Sequence, residues 1–185
     1  GIYYAYYDKS LYEYENVDIR ESVNNNAPEG KVFDYWAYQN GEDASNDDMP
    51  AHDLNLYAQY KPKEITVYMY SDANGHGTEE MGVYWDEIYY GTDLYKDDEN
   101  GTCKADRIKS YNFSDKVTPA EHLNVSKWEI YYVDDGADPY DKTIWKKGIN
   151  EDGTNIVKNT LIFHAAEWSQ VCGENITWRL NEKTG

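Results

Sequence analysis

The chain has 185 residues, enough for one or two domains, and its 17 Lys and Arg against 35 Asp and Glu give a formal net charge of −18. Nucleic acids and anionic lipid surfaces attract clustered basic residues, so this balance argues against both as partners. Leu, Ile, Val and Phe are scarce, which with such a charge is typical of disorder, but 20 Tyr and 6 Trp supply apolar surface for a core. We therefore expect a folded, aromatic-rich and mostly β protein.

No run approaches the roughly 20 consecutive apolar residues of a membrane span, and no signal peptide opens the chain. Because the chain begins at Gly1 rather than Met, we interpret it as a segment of a longer, processed protein. We expect this segment to make no direct membrane insertion and to be monomeric when isolated.

Runs rich in Tyr, Val, Ile and Trp follow one another and predict strands. Residues 54–60, 64–70 and 128–133 alternate between two faces, as strands do. In the second and third runs, the face opposite the apolar one carries Tyr more than charge. The apolar faces are predicted to hold Ile65, Val67 and Met69 in the second run, and Trp128, Ile130 and Tyr132 in the third.

Turn signals separate these predicted strands, whereas helical periodicity is nearly absent. Short helical turns are predicted only at residues 78–81 and at residues 118–123, where Thr118, Pro119 and Glu121 suit a helix start. Dipeptides that tolerate the positive φ of tight hairpin turns are Asn40-Gly41, Asn74-Gly75, Asn100-Gly101, Asp135-Gly136 and Asp152-Gly153.

An internal repeat runs through the chain. Residues 2–8 resemble residues 66–72 at an offset of 64, residues 33–36 resemble 125–128 at an offset of 92, and residues 58–60 resemble 166–168 at an offset of 108. The order of the matches is kept while the offset grows, which indicates two copies of one unit, the second enlarged by insertions.

The repeat predicts the domain organisation. We expect a first unit over residues 1–61, a second over 62–169, and a tail or the start of a further module over 170–185. The segment Lys61-Pro62-Lys63 suits a short linker between the units, because Pro cannot donate to a strand ladder and Lys discourages further pairing.

The first copy resembles a known module. Its Pro28-Glu29-Gly30, its Phe33-Asp34-Tyr35-Trp36, and residues 49–60 with the sequence Met-Pro-Ala-His-Asp-Leu-Asn-Leu-Tyr-Ala-Gln-Tyr are similar to the Listeria–Bacteroides, or internalin B-type, repeat. That family closes on a Met-Pro-Ala-x-Asp-Leu-x-Leu-x-Ala-x-Trp strand. This chain departs from the pattern at Tyr35, where the family has Gly, and at Tyr60, where it has Trp. The second copy matches at its start, at Trp128 and at its closing strand.

The resemblance implies a strand-dominated α+β fold of tandem β-grasp (ubiquitin-like) repeats, the second enlarged. It also implies a secreted or cell-wall-attached bacterial protein in which the repeats act as a stalk or an interaction module. The tail from Cys172 to Leu180 resembles the opening of a segment found beside BspA-like leucine-rich repeats in surface proteins. That resemblance implies that Cys172 begins a third module.

Catalytic residues are not assigned. His52, His76, His122 and His164 are scattered, and no Ser or Cys lies in a nucleophile signature. The register of the repeat places His164 at the position of Leu56, on the inward face of a strand, which predicts a structural histidine. Neighbouring acids such as Glu79-Glu80, Asp86-Glu87 and Asp134-Asp135 are expected by chance among 35 carboxylates. The sequence therefore predicts no enzyme and no cofactor.

Calcium is an alternative role for the acidic loops, because it prefers several oxygen ligands in a turn. None of the candidates has the order of an EF-hand, and we predict solvated loops and assign no metal ligand. The candidates are Asp97-Asp98-Glu99-Asn100 with Asp106, Asp134-Asp135 with Asp138 and Asp141, Asn150-Glu151-Asp152 with Asn155, and Asp72 with Asn74, His76 and Gly77.

The two cysteines leave two interpretations open. Cys103 and Cys172 stand 69 residues apart and form no CxxC, which argues against a zinc or thioredoxin site. They could form one disulfide or remain two buried thiols, because spacing alone does not give the distance between them.

Aromatic residues give the remaining functional signal. Those of the enlarged copy could stack on sugar rings, but half-buried Tyr on strands and Trp at repeat positions are also explained by packing. We predict a non-catalytic segment for spacing and adhesion, with host or bacterial surface proteins or glycans as partners; a carbohydrate-binding module is the second hypothesis. The residues of that hypothesis are Trp85, Tyr89, Tyr90, Tyr131, Tyr132 and Trp145.

Overall fold

The computed structural model describes residues 23, 25–44, 47, 54–72, 79–111, 123–171 and 177–178. The chain divides into two compact units, Gly1–Lys63 and Glu64–Gly185. The described residues are dominated by strands in antiparallel and mixed sheets and include a short helix, which is compatible with an α+β fold. The division between the units comes directly after Lys61-Pro62-Lys63.

The first unit contains an antiparallel pair of strands, β1 (Lys31–Ala37) and β2 (Tyr57–Pro62). Phe33 pairs with Tyr60 and Trp36 pairs with Ala58, and the register shifts between Phe33 and Trp36. Such a shift is a β-bulge, which bends a strand and redirects its side chains. Aromatic and β-branched residues make this a favourable pair of strands.

The second strand of this pair does not lie where the sequence predicts it. β2 begins at Tyr57 rather than at residue 54, and it continues through Lys61 and Pro62, which were expected in the linker. Pro62 is tolerated because it lies opposite Lys31 at the end of the ladder. Lys61 Nζ also forms a 2.9 Å ion pair with Asp34 Oδ1 on the neighbouring strand.

The second unit contains one sheet. Its described elements are β3 (Val67–Ser71), β4 (Glu80–Val83), helix α1 (Lys104–Ser110), β5 (Leu123–Val133), a 3₁₀ turn (Lys142–Ile144), β6 (Lys146–Lys147), β7 (Thr160–Val171) and β8 (Thr177–Trp178). These six strands pair in the order β4-β3-β7-β5-β6, and β8 pairs with the end of β7. Strands β3 and β7 are parallel and the other pairs are antiparallel.

The main core of this unit covers one face of the sheet. The predicted alternation is confirmed, because Ile65, Val67 and Met69 of the β3 region are buried in this core while Thr66 is exposed. Helix α1 adds buried side chains, and so do the loops before it and before β7. Other members are Ile88, Leu94, Ala105, Ile108, Tyr132, Val157, Leu161 and Phe163, with Trp128 and Ile130 packed against them.

The helical predictions are wrong where they can be compared. Met81, expected in a helical turn, lies in strand β4, and Leu123, expected to end another, begins β5. The rest of residues 118–123 and Thr78 lie outside the described residues. Helix α1 has seven residues, so it presents too few turns for periodicity to be recognised.

The turn predictions are confirmed within the described residues. In the first unit, Gly41 N donates to Tyr38 O at 2.9 Å, and Gly41 has a φ of +88°, which only glycine adopts at little cost. Asn74-Gly75 lies outside the described residues. The other predicted turn glycines, Gly101, Gly136 and Gly153, also have positive φ.

Candidate functional site

The sheet of the second unit carries an aromatic surface on the face opposite the main core. We call the side chains of Tyr68, Tyr70, Tyr131, Trp145 and His164 the aromatic face. Tyr70 is buried and the other four are half-buried. They pack around buried Ile162 and Val133, together with Met81 and Ala137. The expectation that this face carries Tyr more than charge is therefore confirmed.

Strand register brings these residues together. Tyr70 lies opposite His164 in the β3–β7 pair, and His164 lies opposite Glu129 in the β7–β5 pair. The adjacent row runs from Tyr68 through Ile162 to Tyr131. Side chains directly opposite each other on one face of a sheet are in contact distance. The sheet therefore builds two rows of rings and polar groups side by side.

Trp145 reaches this face from the segment that follows β5. Its ring centroid lies 5.1 Å from that of Tyr70 and 5.5 Å from that of Tyr131. Its Nε1 donates a 2.9 Å hydrogen bond to Pro139 O. The 3₁₀ turn before it is capped by Asp141, whose carboxylate accepts from Thr143 N at 3.0 Å. Trp145 is therefore held in place and spans strand β7 from β3 to β5.

A lysine lies at the edge of the aromatic face. Lys142 Nζ donates to Tyr70 Oη at 2.5 Å and forms a 2.5 Å ion pair with Glu79 Oε1. It also lies 4.5 Å from the centroid of the Tyr70 ring. Burial raises the pKa of Tyr70, the hydrogen bond from Lys142 lowers the pKa of Glu79, and the hydrogen bond to Glu79 raises the pKa of Lys142. At neutral pH the lysine and glutamate are charged and the tyrosine is neutral.

Glu129 is a carboxylate on this side of the sheet that accepts hydrogen bonds from both a tyrosine and a lysine. Tyr131 Oη donates to Glu129 Oε2 at 2.6 Å, and Lys147 Nζ donates to Oε1 at 3.1 Å. The hydrogen bond from Tyr131, followed by that from Lys147, lowers the pKa of Glu129 to about 2. The same bond to Glu129, followed by burial, raises the pKa of Tyr131 to about 12. Neither group titrates near neutral pH, so this pair is suited to structure and recognition rather than to acid–base catalysis.

His164 lies on the aromatic face and not in the main core, which corrects its predicted position on the inward face. Its neighbours Phe163 and Ala165 point into the core, and alternation along β7 turns His164 the other way. Its Nε2 is 3.5 Å from Asp72 Oδ2, and its ring centroid is 5.0 Å from that of Tyr70. His52, His76 and His122 lie outside the described residues.

The six aromatic residues of the glycan hypothesis do not form one surface. Tyr131 and Trp145 lie on the aromatic face, whereas Tyr132 is buried on the core face and Tyr90 packs against the same core. Trp85 and Tyr89 are exposed, Trp85 to 78%. The structure therefore separates the predicted set into three groups.

Trp85 is exposed on a segment whose neighbours are well held. The preceding Tyr84 is buried, and its ring centroid lies 5.0 Å from that of Tyr111. Its Oη donates a 3.2 Å hydrogen bond to Asp86 Oδ2. Asp86 also accepts a 3.1 Å hydrogen bond from Lys104 Nζ. Burial, followed by the charge of Asp86, raises the pKa of Tyr84 to about 12. An exposed Trp on an ordered segment is a good contact residue, because little side-chain or loop entropy is lost on binding.

Sequence reasoning missed Tyr140 as a contact residue. Tyr140 is 62% exposed, and its ring centroid lies 6.0 Å from that of Tyr68 at the margin of the aromatic face. Its backbone N donates to Asp138 Oδ1 at 2.9 Å. The Asp-Pro-Tyr-Asp sequence before Lys142 predicts a turn, and a Tyr in a turn is the signal that could have identified it.

The acidic loops use their carboxylates to close turns. Asp98 Oδ1 accepts from Asn100 N at 2.8 Å and from Thr102 N at 3.1 Å, and its other oxygen pairs with Arg107. Asp152 accepts from Thr154 N and from Lys158 Nζ. In the part of the chain that the structure describes, no group of three or more His, Cys, Asp or Glu is arranged to hold a metal ion. The candidates Asn74, His76 and Gly77 lie outside the described residues.

Cys103 directly precedes helix α1 and carries a buried, free thiol. Cys172 lies outside the described residues, although Thr177–Trp178 pairs with the end of β7. The disulfide and the third module therefore stay predictions.

Comparisons with models of known families, with curated proteins and with solved structures find no match for this chain. Among the described residues, no helix is both long and apolar enough to cross a membrane.

Proposed function

We propose that this chain is a non-catalytic spacing and adhesion segment of a secreted or cell-wall-attached bacterial surface protein. In this proposal it consists of two divergent tandem repeats of the Listeria–Bacteroides type, each a β-grasp unit, the second enlarged by insertions. Its partners are host or bacterial surface proteins. The proposal combines the resemblance in the first copy with the strand pairing of the two units.

The observation that carries the proposal is a strand pair that recurs in both units. The sequence repeat aligns Phe33 with Val125 and Tyr60 with Trp168. Phe33 pairs with Tyr60 in the first unit, and Val125 pairs with Trp168 in the second. The register shifts after Phe33 in β1 and after Val125 in β5. Beyond the shift the two ladders differ by one residue, since Trp36 pairs with Ala58 whereas Trp128 pairs with Ala165 and not with Ala166, which the repeat aligns with Ala58. The shared pair of aligned positions supports two copies of one unit.

The topology of the second unit supports a β-grasp arrangement. A hairpin of β3 and β4 precedes helix α1, and β5 and β7 follow it. The four longer strands lie in the order β4-β3-β7-β5, with β3 and β7 parallel in the middle. Helix α1 packs its Ala105 and Ile108 into the core on one face of this sheet. The 3₁₀ turn and β6 belong to the insertion between β5 and β7.

The pKa values and the exposed aromatic rings of the described residues support a role in binding a partner rather than in catalysis. The pKa of Glu129 is lowered to about 2 and those of Tyr84 and Tyr131 are raised to about 12, all away from the range of a general acid or base at neutral pH. Trp85 and Tyr140 instead offer exposed rings for contact, and the net charge of −18 favours a soluble segment.

A carbohydrate-binding module is the second candidate function. The observation in its favour is the 78% exposed ring of Trp85 on an ordered segment, because exposed Trp rings stack on the apolar faces of sugars. Adhesion to proteins uses the same kind of anchor, since Trp and Tyr are enriched in the centres of interfaces.

The test applies the whole chain, with the matched variants Trp85→Ala and Tyr95→Ala, to an array of extracellular host proteins and to a glycan array. Tyr95 is also an exposed aromatic side chain, at 43%. We expect binding to proteins that falls about tenfold or more in Trp85→Ala and persists in Tyr95→Ala. Glycan binding that Trp85→Ala removes would replace the proposal with the carbohydrate-binding function. Release of sugars or peptides from the arrays by the unmodified chain would contradict a non-catalytic role.

A further inference from the structure

We propose that an aromatic corner of the second unit binds an arginine or lysine side chain of a partner protein. We call the side chains of Tyr68, Asp138 and Tyr140 the Tyr140 corner. The inference rests on the proposed function and deepens it, because it names the chemistry of a partner. The partner that fits this corner is a protein that presents a basic segment.

The segment between β5 and β6, residues 134–145, holds Tyr140 in place. Asp138 Oδ1 accepts a 2.9 Å hydrogen bond from Tyr140 N. The ring centroid of Tyr140 lies 6.0 Å from that of Tyr68, in an edge-to-face arrangement. Trp145 packs the end of the same segment onto the aromatic face. The Tyr140 ring is thus 62% exposed and yet held on both sides, so little entropy is lost when a partner binds it.

Asp138 places a negative charge beside the two rings. Burial, followed by the neighbouring Tyr140 and the charge of Asp138, raises the pKa of Tyr68, so the Asp138 carboxylate lies close to the Tyr68 hydroxyl. The side chain of Asp138 is exposed. A cation on the corner would meet an aromatic ring and a carboxylate together, and hydrogen bonds between charged groups are stronger than neutral ones.

The corner has no positive charge to balance Asp138. Lys142, in the same segment, pairs with Glu79. Lys146, which follows the segment, pairs with Asp134. Within the part of the chain that the structure describes, Asp138 itself forms no ion pair with a lysine or arginine. The chain also carries a net charge of −18, so charge complementarity favours a basic partner and disfavours an acidic one.

Other tyrosine rings of this unit already contact cations. A lysine Nζ lies 4.5 Å from the ring centroid of Tyr70, 5.4 Å from that of Tyr95 and 5.6 Å from that of Tyr132, all within the range of a cation–π contact. Among the described residues, no lysine lies over the ring of Tyr140 in this way. An arginine should suit the corner better than a lysine, because a flat guanidinium stacks on a ring and still donates to a carboxylate.

The Tyr140 corner is separate from the exposed ring of Trp85. Tyr68 belongs to the aromatic face, and Tyr140 lies at its margin. Tyr84, which precedes Trp85, packs in the main core on the other face of the sheet. Binding at the two surfaces can therefore be measured independently.

The experiment measures the binding of short fluorescent peptides to the whole chain by anisotropy, at about 0.15 M salt to screen diffuse attraction. The peptides are identical except at a few positions, which hold arginine, lysine or citrulline. Citrulline has nearly the shape of arginine but no charge. We expect the arginine peptide to bind about fivefold or more tightly than the citrulline peptide, with the lysine peptide between them.

Tyr140→Ala should weaken binding of the arginine peptide about fivefold or more, because it removes the ring without changing the charge. Tyr140→Phe keeps the ring and should recover most of this loss. Tyr95→Ala is the matched control, since Tyr95 is exposed but its ring already faces Lys109, and it should bind the peptide as the unmodified chain does. Equal binding by Tyr140→Ala and Tyr95→Ala would overturn the proposal, as would no binding of the arginine peptide.

A second pair of variants tests the carboxylate. Asp138→Asn keeps an acceptor for Tyr140 N but removes the charge, and we expect it to weaken the arginine peptide about threefold. Glu99→Gln removes an exposed charge from the loop before α1, on the core side of the sheet, and should have a smaller effect. Equal effects of the two changes would show that net charge attracts the peptide, and would overturn a specific site at Asp138.

A failure of the corner is distinguishable from a failure of the proposed function. Protein binding on the arrays, together with a peptide that binds equally to Tyr140→Ala, would remove the corner and leave adhesion in place. Glycan binding that Tyr140→Ala removes would assign the corner to sugars instead. Glycan binding that only Trp85→Ala removes would overturn the proposed function, while the peptide measurement still reports on the corner.

Discussion

Tyr131 Oη donates a 2.6 Å hydrogen bond to Glu129 Oε2, two residues earlier on the same face of β5. The bond links the ionisation of the two groups, because it favours an ionised Glu129 and a neutral Tyr131. Lys147 supports the same charge state from β6. The pair therefore stabilises the sheet in a defined range of pH.

Stability is expected to fall in acid through Glu129. Its pKa in the folded chain, about 2, is below the ordinary value of 4.5. A lowered pKa contributes stability that is present above about pH 4.5 and is lost as the pH falls toward about 2. Tyr131, with its pKa raised to about 12, contributes stability that is present below about pH 10 and is lost as the pH rises toward about 12.

The acid limb can be measured by thermal unfolding from about pH 5 to about pH 2. Glu129→Gln should lose less stability over this range than the unmodified chain, and Tyr131→Phe should lie between them because Lys147 still bonds to Glu129. Tyr131→Phe should also lower the free energy of unfolding at neutral pH by about 1 kcal/mol. If all three proteins lost the same stability as the pH falls, Glu129 would not be the group whose protonation destabilises the fold.

Trp145 should matter for stability far more than Trp85. Trp145→Ala removes a half-buried ring from Tyr70 and Tyr131, together with the hydrogen bond to Pro139 O. We expect a loss of about 2 kcal/mol in the free energy of unfolding. Trp85→Ala removes a ring that is 78% exposed, and its effect should stay within about 0.5 kcal/mol. Urea denaturation of the two variants gives both values; equal losses would contradict the packing described for Trp145.

The recurring strand pair predicts energetic coupling at equivalent positions. Phe33 with Tyr60, and Val125 with Trp168, should each give a coupling energy of about 0.5 kcal/mol or more in a double-mutant cycle, because paired residues on adjacent strands interact. The control pair Val125 with Thr160 joins opposite ends of the β5–β7 ladder and should give no measurable coupling. Coupling absent from both equivalent pairs would remove this support for the repeat.

Local pattern predicted the faces of the strands well. Residues 65, 67 and 69 enter the core because the period of two in a strand is visible in the sequence itself. The same rule also determines the side of the sheet on which Tyr70 and Tyr131 lie. The alternation rule placed the start of β2 at residue 54 instead of Tyr57, because Leu54 and Leu56 are half-buried although they do not belong to the strand.

The aromatic face could not be assembled from the sequence. Tyr70 and Lys142 are 72 residues apart, and they meet because β3 and β5 both pair with β7 and because the segment between β5 and β7 returns over that face. Such pairing depends on the whole fold, and no local pattern specifies it. Trp85 was chosen from the sequence only because it is aromatic. Its exposure could not be predicted, because it follows from the neighbouring residues that hold this segment at the surface.

The thiol of Cys103 should react only when the chain unfolds. It is buried in the main core and free. Iodoacetamide is therefore expected to label Cys103 slowly in the native chain and fully in denaturant without any reductant. Mass spectrometry of the peptide that contains Cys103 measures both. Labelling that requires prior reduction would instead indicate a disulfide with Cys172.

Calcium should have little effect on this chain. In the acidic loops, the carboxylate of Asp98 already accepts from Asn100 N and Thr102 N and pairs with Arg107. The carboxylate of Asp152 accepts from Thr154 N and Lys158 Nζ. Binding an ion would require these bonds to break, and calcium needs six or more oxygen ligands.

We expect the melting temperature in millimolar calcium to differ from that in EDTA by less than about 2 °C, which corresponds to well under about 1 kcal/mol for a domain of this size. Asp98→Asn supplies the matched variant, since it keeps a side-chain acceptor for the turn but removes the charge opposite Arg107. A shift of several degrees that Asp98→Asn abolishes would place an ion in that loop. A calcium-dependent shift that survives in Asp98→Asn would direct attention to Asp138, Asp141 and Asp152, which close turns in the other two described candidate loops.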